Sequence, residues 1–205
     1  MNAIELSHVT KHFPGFTLQD LSLTVPSGTI CGLVGENGAG KSTTIRLLMG
    51  ALRPDSGTCT VLGADSAAPE FLSLKEDIGV VLDEAYFPES LNALQVGGVM
   101  AKTYRRWDGK QYQNYLTRFG LPEKKPFKDF SRGMKMKLAI AVALSHSPRL
   151  LVLDEATSSV DTHTEQLIEQ GMDRLMEGRT VFVIAHRLST VRNAQAILVL
   201  EQGRI

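Results

Sequence analysis

Apolar and polar residues alternate early in the chain and change to helical spacing in its middle. Residues 4–9 and 18–25 alternate with a period of two, as half-buried strands do. The turn Pro26-Ser27-Gly28 leads to a short apolar strand at 29–34, which runs into a glycine-rich stretch. A helix is expected from near Lys41 to Gly50, where glycine is a natural terminator. Residues 58–62 and 78–82 read as two further strands. From about Glu84 to Ser145 helices are expected over 91–107, 110–119 and 133–144, separated by Asp108-Gly109 and Gly120-Leu121-Pro122. Residues 150–153 are unbroken apolar sequence, the pattern of a strand covered on both faces. Residues 162–176 form an amphipathic helical pattern, and 181–184 and 196–200 are apolar strands. Strands alternate with helices around a helical block, which implies an α/β core of mainly parallel sheet with a helical insertion at 84–145.

Composition narrows the function classes. The 205 residues suit one domain on a prior of about 150 residues per domain, so 1–205 is read as a single unit. Hydrophobic residues make up 43%, enough for a core and too many for a disordered chain. Lys plus Arg (22) balance Asp plus Glu (22), which argues against a nucleic-acid partner held by phosphate neutralisation. No apolar run approaches the ~18 residues a membrane span needs, and no secretory signal opens the chain. Two cysteines, Cys31 and Cys59, require no disulfide framework and fit a reducing cytoplasm.

Chemistry enters at Gly35-Glu36-Asn37-Gly38-Ala39-Gly40-Lys41-Ser42, which fits G-x-x-x-x-G-K-[ST] between a predicted strand and a predicted helix. Glycines let successive N–H groups turn inward onto phosphate oxygens, and the helix N-terminus adds positive potential. Lys41 would bridge the β- and γ-phosphates, and Ser42 offers a hydroxyl to Mg²⁺. The other reading is a glycine-rich turn that happens to precede Lys-Ser.

A second constellation is Leu150-Leu151-Val152-Leu153-Asp154-Glu155, which puts two acids at the end of a buried strand. Ligands of open parallel sheets sit beyond the carboxyl ends of strands, where the glycine loop also lies. Asp154 suits Mg²⁺, directly or through water, and Glu155 suits a general base for the attacking water. Two solvated acids closing a strand are the plainer alternative. His186 follows the strand at 181–184, where a side chain could reach the γ-phosphate; a structural histidine is the other reading. His8, His12, His146 and His163 show no ligand spacing with each other or with the cysteines, so no zinc site is expected.

Together these residues resemble an ATP-binding cassette (ABC) ATPase, over essentially the whole chain and in the family's order. Phe130-Ser131-Arg132-Gly133-Met134 stands where the family signature precedes a helix, Ser158-Ser159-Val160-Asp161 resembles the D-loop, and Ala185-His186-Arg187 resembles the switch-histidine segment. Phe13 matches the aromatic position that stacks on adenine. The resemblance implies a P-loop NTPase core with an N-terminal antiparallel β-subdomain and an inserted helical subdomain carrying the signature. It also implies ATP and Mg²⁺ as cofactors, and transmembrane partner subunits on the cytoplasmic face of a membrane. A second cassette would pair with the chain head to tail. The implied nucleotide contacts are Phe13, Gly35, Asn37, Gly38, Ala39, Gly40, Lys41, Ser42 and Thr43, with Ser131 and Gly133 acting in trans. Ser42, Asp83 and Asp154 would serve the metal; Lys41, Glu155 and His186 would serve catalysis.

Three departures from the family pattern stand out. Asp83, followed by Glu84, occupies the position of the usual Gln after the strand at 78–82. Arg132 and Met134 replace the signature's first Gly and its Gln, while Ser131 and Gly133 are kept. The chain ends at Ile205, where family members usually continue, so it reads as trimmed to the cassette's minimum. Residues up to about Leu153 also resemble separate ATPase subunits of bacterial exporters, whereas those from about Asp154 onward resemble exporters with fused membrane helices. That change of style suggests a recombined chain joined between about Leu150 and Ser159, whose rival function is a scaffold with weak or no ATPase. Tyr104-Arg105-Arg106-Trp107 interleaves bases and aromatics but, at helical spacing with Met100 and Val96, is expected to be a packed helix with solvated basic heads.

Overall fold

The structure is a computed structural model that describes residues 1–82, 87–155, 178–185, 191–192 and 194–205, with the side chain of Glu155 left undescribed. In chain order its elements are β1 (Asn2–Phe13), β2 (Phe16–Pro26), β3 (Ile30–Gly35), α1 (Lys41–Leu48), β4 (Ser56–Val61) and β5 (Ala64–Asp65). A single helical turn, α2 (Phe71–Leu74), precedes β6 (Ile78–Val81). Three helices follow: α3 (Ala93–Thr103), α4 (Gly109–Arg118) and α5 (Arg132–Leu144). The strands β7 (Leu150–Glu155), β8 (Thr180–Ala185) and β9 (Ala196–Leu200) complete the described chain. The helix expected at 162–176 lies outside the described residues.

Two sheets divide the strands. The antiparallel sheet has the order β2-β1-β4-β5, and the parallel sheet the order β6-β7-β8-β3-β9. β1 is longer than its alternating core because it is paired on both edges, with β2 and with β4. Every pairing in the second sheet is parallel.

The unbroken apolar strands are explained by two cores, one on each face of the parallel sheet. Leu151 and Leu153 of β7, with Val181 and Val183 of β8, pack with α5 and the other helices between β6 and β7. Their alternate neighbours Leu150, Val152, Phe182 and Ile184 pack with α1 and the antiparallel sheet. Consecutive residues of β7 and β8 thus feed opposite cores, so no polar position is tolerated until Asp154.

α1 starts directly after Gly40 and ends as the sequence predicts, with Gly50 at φ 64°. The N–H of Ala51 reaches back to the carbonyl of Arg46 at 2.9 Å and that of Gly50 to Leu47 at 3.0 Å, a Schellman closure.

The helix expected over 91–107 is shorter than its spacing suggested. It begins at Ala93 behind a capping box in which Asn92 and Gln95 exchange side-chain and backbone bonds. It stops at Thr103, where Tyr104 turns extended. The Tyr104 ring stacks on His146, and Arg106 binds the Glu76 carbonyl at 3.0 Å and the Asp77 carboxylate. These contacts hold 104–107 out of the helix, so the basic-aromatic run is not helical. Trp107 packs into the helical block's core, and Arg106 is an ion-paired strap rather than a solvated head.

Candidate nucleotide site

The glycine stretch becomes a tight loop between β3 and α1. Gly38 has φ 84° and Gly40 φ 112°, a left-handed region that L side chains enter only with strain. Gly35 has a different reason: a Cβ there would collide with the Leu200 carbonyl oxygen on the neighbouring strand. Gly40 is crowded as well, by Leu18 and by the ring of Phe16. The loop is tied down at its far end by the Gly203 N–H donating to the Ala39 carbonyl at 3.0 Å. Glu36, Asn37 and Gly38 stay exposed, while Ala39 and Gly40 are buried. A concave loop with an open rim and a buried floor suits a polyphosphate.

Lys41 opens α1 and is only 6% exposed. Its ammonium donates to the carbonyl oxygens of Gly35 (2.6 Å) and Glu36 (2.8 Å), which centres the charge under the loop. An ammonium has three protons, so one more acceptor can be served. Burial pushes the Lys41 pKa below its ordinary value, and the nearby Asp154 carboxylate pulls it partly back up. Ser42 is exposed on the first turn and Thr43 half-buried. Thr44, fully buried, donates its hydroxyl to the Gly40 carbonyl at 3.1 Å and fixes the start of the helix.

Sheet register brings Asp154 to the same edge. Asp154 pairs with Ile184 of β8, and Ile184 pairs with Leu33 of β3, two residues before Gly35. With strands about 4.8 Å apart, Asp154 lies roughly two strand spacings from the base of the loop. Glu155 ends β7 opposite Ala185, the residue before His186. Phe13 closes β1, is 36% exposed, and stacks on Phe16 at 6.3 Å between ring centroids. Phe16 in turn abuts Gly40, so Phe13 stands beside the loop. Phe16 carries no motif of its own, and its i, i+2 relation to Leu18 on β2 is the signal the sequence offers for it.

Ser131 and Gly133 lie elsewhere. Ser131 caps α5, accepting from the Met134 N–H at 3.3 Å, and Gly133 occupies its first turn. α5 packs on one face of the parallel sheet and α1 on the other. Asp83 and His186 lie outside the described residues.

A Mg²⁺ ion keeps several waters and needs only one or two protein oxygens besides phosphate. An exposed Ser42 hydroxyl and a half-buried Asp154 near the Lys41 ammonium fit that sparse donor set. Among the described residues no cluster of three or more His, Cys, Asp or Glu could hold a metal by protein ligands alone.

A strand–glycine-loop–helix with a buried lysine and a strand-end aspartate at one edge of a parallel sheet defines a P-loop nucleotide-binding protein. Residues 18–158 match the ABC transporter family, and the chain belongs to it as an ATP-binding cassette of the ATPase class. It is 36% identical to the mouse protein "ATP-binding cassette sub-family B member 10, mitochondrial" over 99% of this chain and 31% of that protein. The chain thus spans about a third of that relative's length. Its fold resembles the structure of a bacterial Atm1-family ABC exporter with ATP bound, with TM-score 0.81 and 31% identity over 98% of this chain and 37% of that one. It also resembles the dimeric structure of MJ0796, a bacterial ABC transporter cassette, with TM-score 0.87 and 25% identity over 98% of this chain and 96% of that one. Each of these single relatives matches 98–99% of the chain, and they lend no support to a recombined chain.

Proposed function

We propose that this chain is the ATP-hydrolysing cassette of an ABC exporter, using Mg²⁺ and pairing head to tail with a second cassette to drive transmembrane subunits. The observation that supports it is the convergence of the loop, Lys41 and Asp154 at one edge of the parallel sheet. The loop amides, Lys41, Ser42 and Thr43 hold the phosphates, and Phe13 stacks on the base. Asp154, Ser42 and Asp83 serve Mg²⁺, whose charge, when bound, offsets that developing on the phosphates. Glu155 takes a proton from the attacking water, and His186 contacts the γ-phosphate.

The layers support pairing. The N-terminus of α5 and the phosphate loop belong to opposite faces of one sheet, which favours a partner's α5 completing each site. Ser131 and the Gly133 N–H then meet the γ-phosphate in trans, where a helix N-terminus favours anions. The helical insertion at 84–145 faces the membrane subunits on the cytoplasmic side. No helix among the described residues is long and apolar enough to cross a membrane, which leaves translocation to other segments or subunits. Steady-state ATPase measured on the purified chain tests the reading: Mg²⁺-dependent release of phosphate is expected, and none, despite ATP binding, would overturn it.

A further inference from the structure

The turn that follows β9 is held in a strained shape. Glu201 and Arg204 exchange both backbone hydrogen bonds, at 2.8 and 3.0 Å, around Gln202 and Gly203. The two central residues are left-handed, with φ 47° and 82°, as in a type I′ turn. Glutamine enters that region only against steric strain, so contacts outside the turn hold it there.

Those contacts centre on Gly203, which is buried although its neighbours Gln202 and Arg204 are exposed. Its N–H donates to the Ala39 carbonyl of the phosphate loop at 3.0 Å, and its carbonyl accepts the Gln19 N–H of β2 at 2.8 Å. The Arg204 guanidinium adds a third tie, to the Gln19 side-chain oxygen at 2.5 Å. A Cβ on Gly203 would collide with the Thr17 carbonyl oxygen, so only glycine lets the turn lie this close to β2. The same strand carries Phe16 and Leu18, which with Leu200 of β9 crowd Gly40. The loop thus rests on a floor made by β2 and the end of β9, and Gly203 joins the two.

Peptide geometry carries the effect into the loop. The Ala39–Gly40 peptide is planar and trans, so its C=O and N–H point in opposite directions. Aiming the Ala39 carbonyl at Gly203 aims the Gly40 N–H away from the floor and into the loop. The same bond polarises the peptide and strengthens that N–H as a donor. Inward N–H groups of this kind make an anion-binding concavity.

We infer that Gly203 is a positioning residue of the nucleotide site. Through Ala39 it orients the Gly40 N–H onto a nucleotide phosphate, and through Gln19 it locks the loop to the β1-β2 hairpin that carries Phe13. This rests on the nucleotide reading proposed above, and adds to it a residue outside the phosphate-binding motif.

Binding and docking of the turn are linked reciprocally: by whatever factor the docked turn raises ADP affinity, ADP stabilises the docked turn. The intact, isotope-labelled chain is followed by NMR and amide hydrogen exchange, with and without ADP. The Gly40 amide proton should shift downfield on binding, and exchange at Gly203 and Gln19 should slow about tenfold, the worth of one well-oriented hydrogen bond. The Leu62 N–H, bonded to the Ala3 carbonyl at the other end of β1 from Phe13, should keep its rate. Gly203→Ala displaces the turn from β2, and Gln202→Pro forbids its left-handed φ; either should weaken ADP binding about tenfold and diminish the Gly40 shift. Gly63→Ala, at φ 89° with nothing within 4 Å of the new Cβ, should do neither. The exchange measurement needs no variant, so it stands even where Gly203→Ala fails to fold. A chain that binds no ADP would sink the nucleotide reading itself. ADP binding with the Gly40 shift but with unchanged exchange at Gly203, or with equal slowing at Leu62, overturns the role of Gly203 alone. So does equal ADP affinity in folded Gly203→Ala or Gln202→Pro.

Discussion

Lys41 donates to the carbonyl oxygen of Gly35 at 2.6 Å, so the residue that ends β3 and the one that begins α1 are tied across the mouth of the phosphate loop. The bond places a buried cation where phosphate oxygens would gather. Lys41→Ala removes it. A hydrogen bond to a charged group is worth about 1.5–3 kcal/mol, so ATP affinity should fall roughly ten- to a hundredfold. Equilibrium titration with a fluorescent ATP analogue checks this, and unchanged affinity would count against the cradle.

Glu155→Gln keeps the shape of the strand end and removes the proposed base. ATP binding should persist while steady-state hydrolysis drops by about 10²–10⁴, the range of general-base catalysis. Near-wild-type turnover would assign the proton to another group.

Ser131→Ala separates the cap from the contact in trans. Losing the cap destabilises α5 by about 1 kcal/mol or less, since the Met134 bond is long at 3.3 Å. The larger effect expected is on assembly. In a Glu155→Gln background, ATP should produce dimers by light scattering, and Ser131→Ala should leave mostly monomers at the same concentration.

Gly35→Ala tests the close approach of β3 to β9. A methyl group there meets the Leu200 carbonyl, and overpacking of this kind costs about 1–3 kcal/mol. Urea unfolding should show that loss together with weaker ATP binding, because the same residue begins the loop. Gly63→Ala, at a turn with nothing within 4 Å of the new Cβ but a φ of 89°, gives a backbone-strain control away from the loop.

His146 supplies a pH dependence. It is fully buried, stacks on Tyr104 at 4.0 Å and 2°, and bonds the Glu76 carbonyl through Nδ1 at 3.0 Å. Its buried Nε2 has no partner. Burial lowers its pKa, outweighing the pull of Glu76 and Asp77, while Arg106 lowers it further. The folded chain therefore binds the proton less readily than the unfolded chain. This contribution to stability is complete above the unfolded histidine value, near 6.5, and is lost as pH falls toward the lower folded value. Denaturation midpoints between pH 7.5 and 5 should fall less steeply in His146→Phe, which keeps a ring on Tyr104 and cannot titrate.

The departures from sequence expectation have a common origin. α1 and its Gly50 terminator, and the strand at Ala196–Leu200, depend on local signals, namely a glycine cap and a short apolar run, and these are legible residue by residue. The end of α3 is not. Nothing in 91–107 announces that Tyr104 leaves the helix, because the reason is His146 and Glu76, both far along the chain. The Phe13–Phe16 pair shows the same division: Phe13 is legible as a family position that the sequence resembles, whereas Phe16 gains its place only by packing against Gly40.

By itself the sequence determined the order of strands and helices, the phosphate loop and the acids at the end of an apolar strand, because periodicity and spacing are properties of neighbouring residues. Only the tertiary structure decided that Lys41 turns back on Gly35 and that Asp154 stands two strands from the loop. It also decided that α5 and α1 take opposite faces of the sheet. Those relations depend on the strand order β7-β8-β3, which pairs segments distant in sequence, and no local pattern encodes which strand lies beside which.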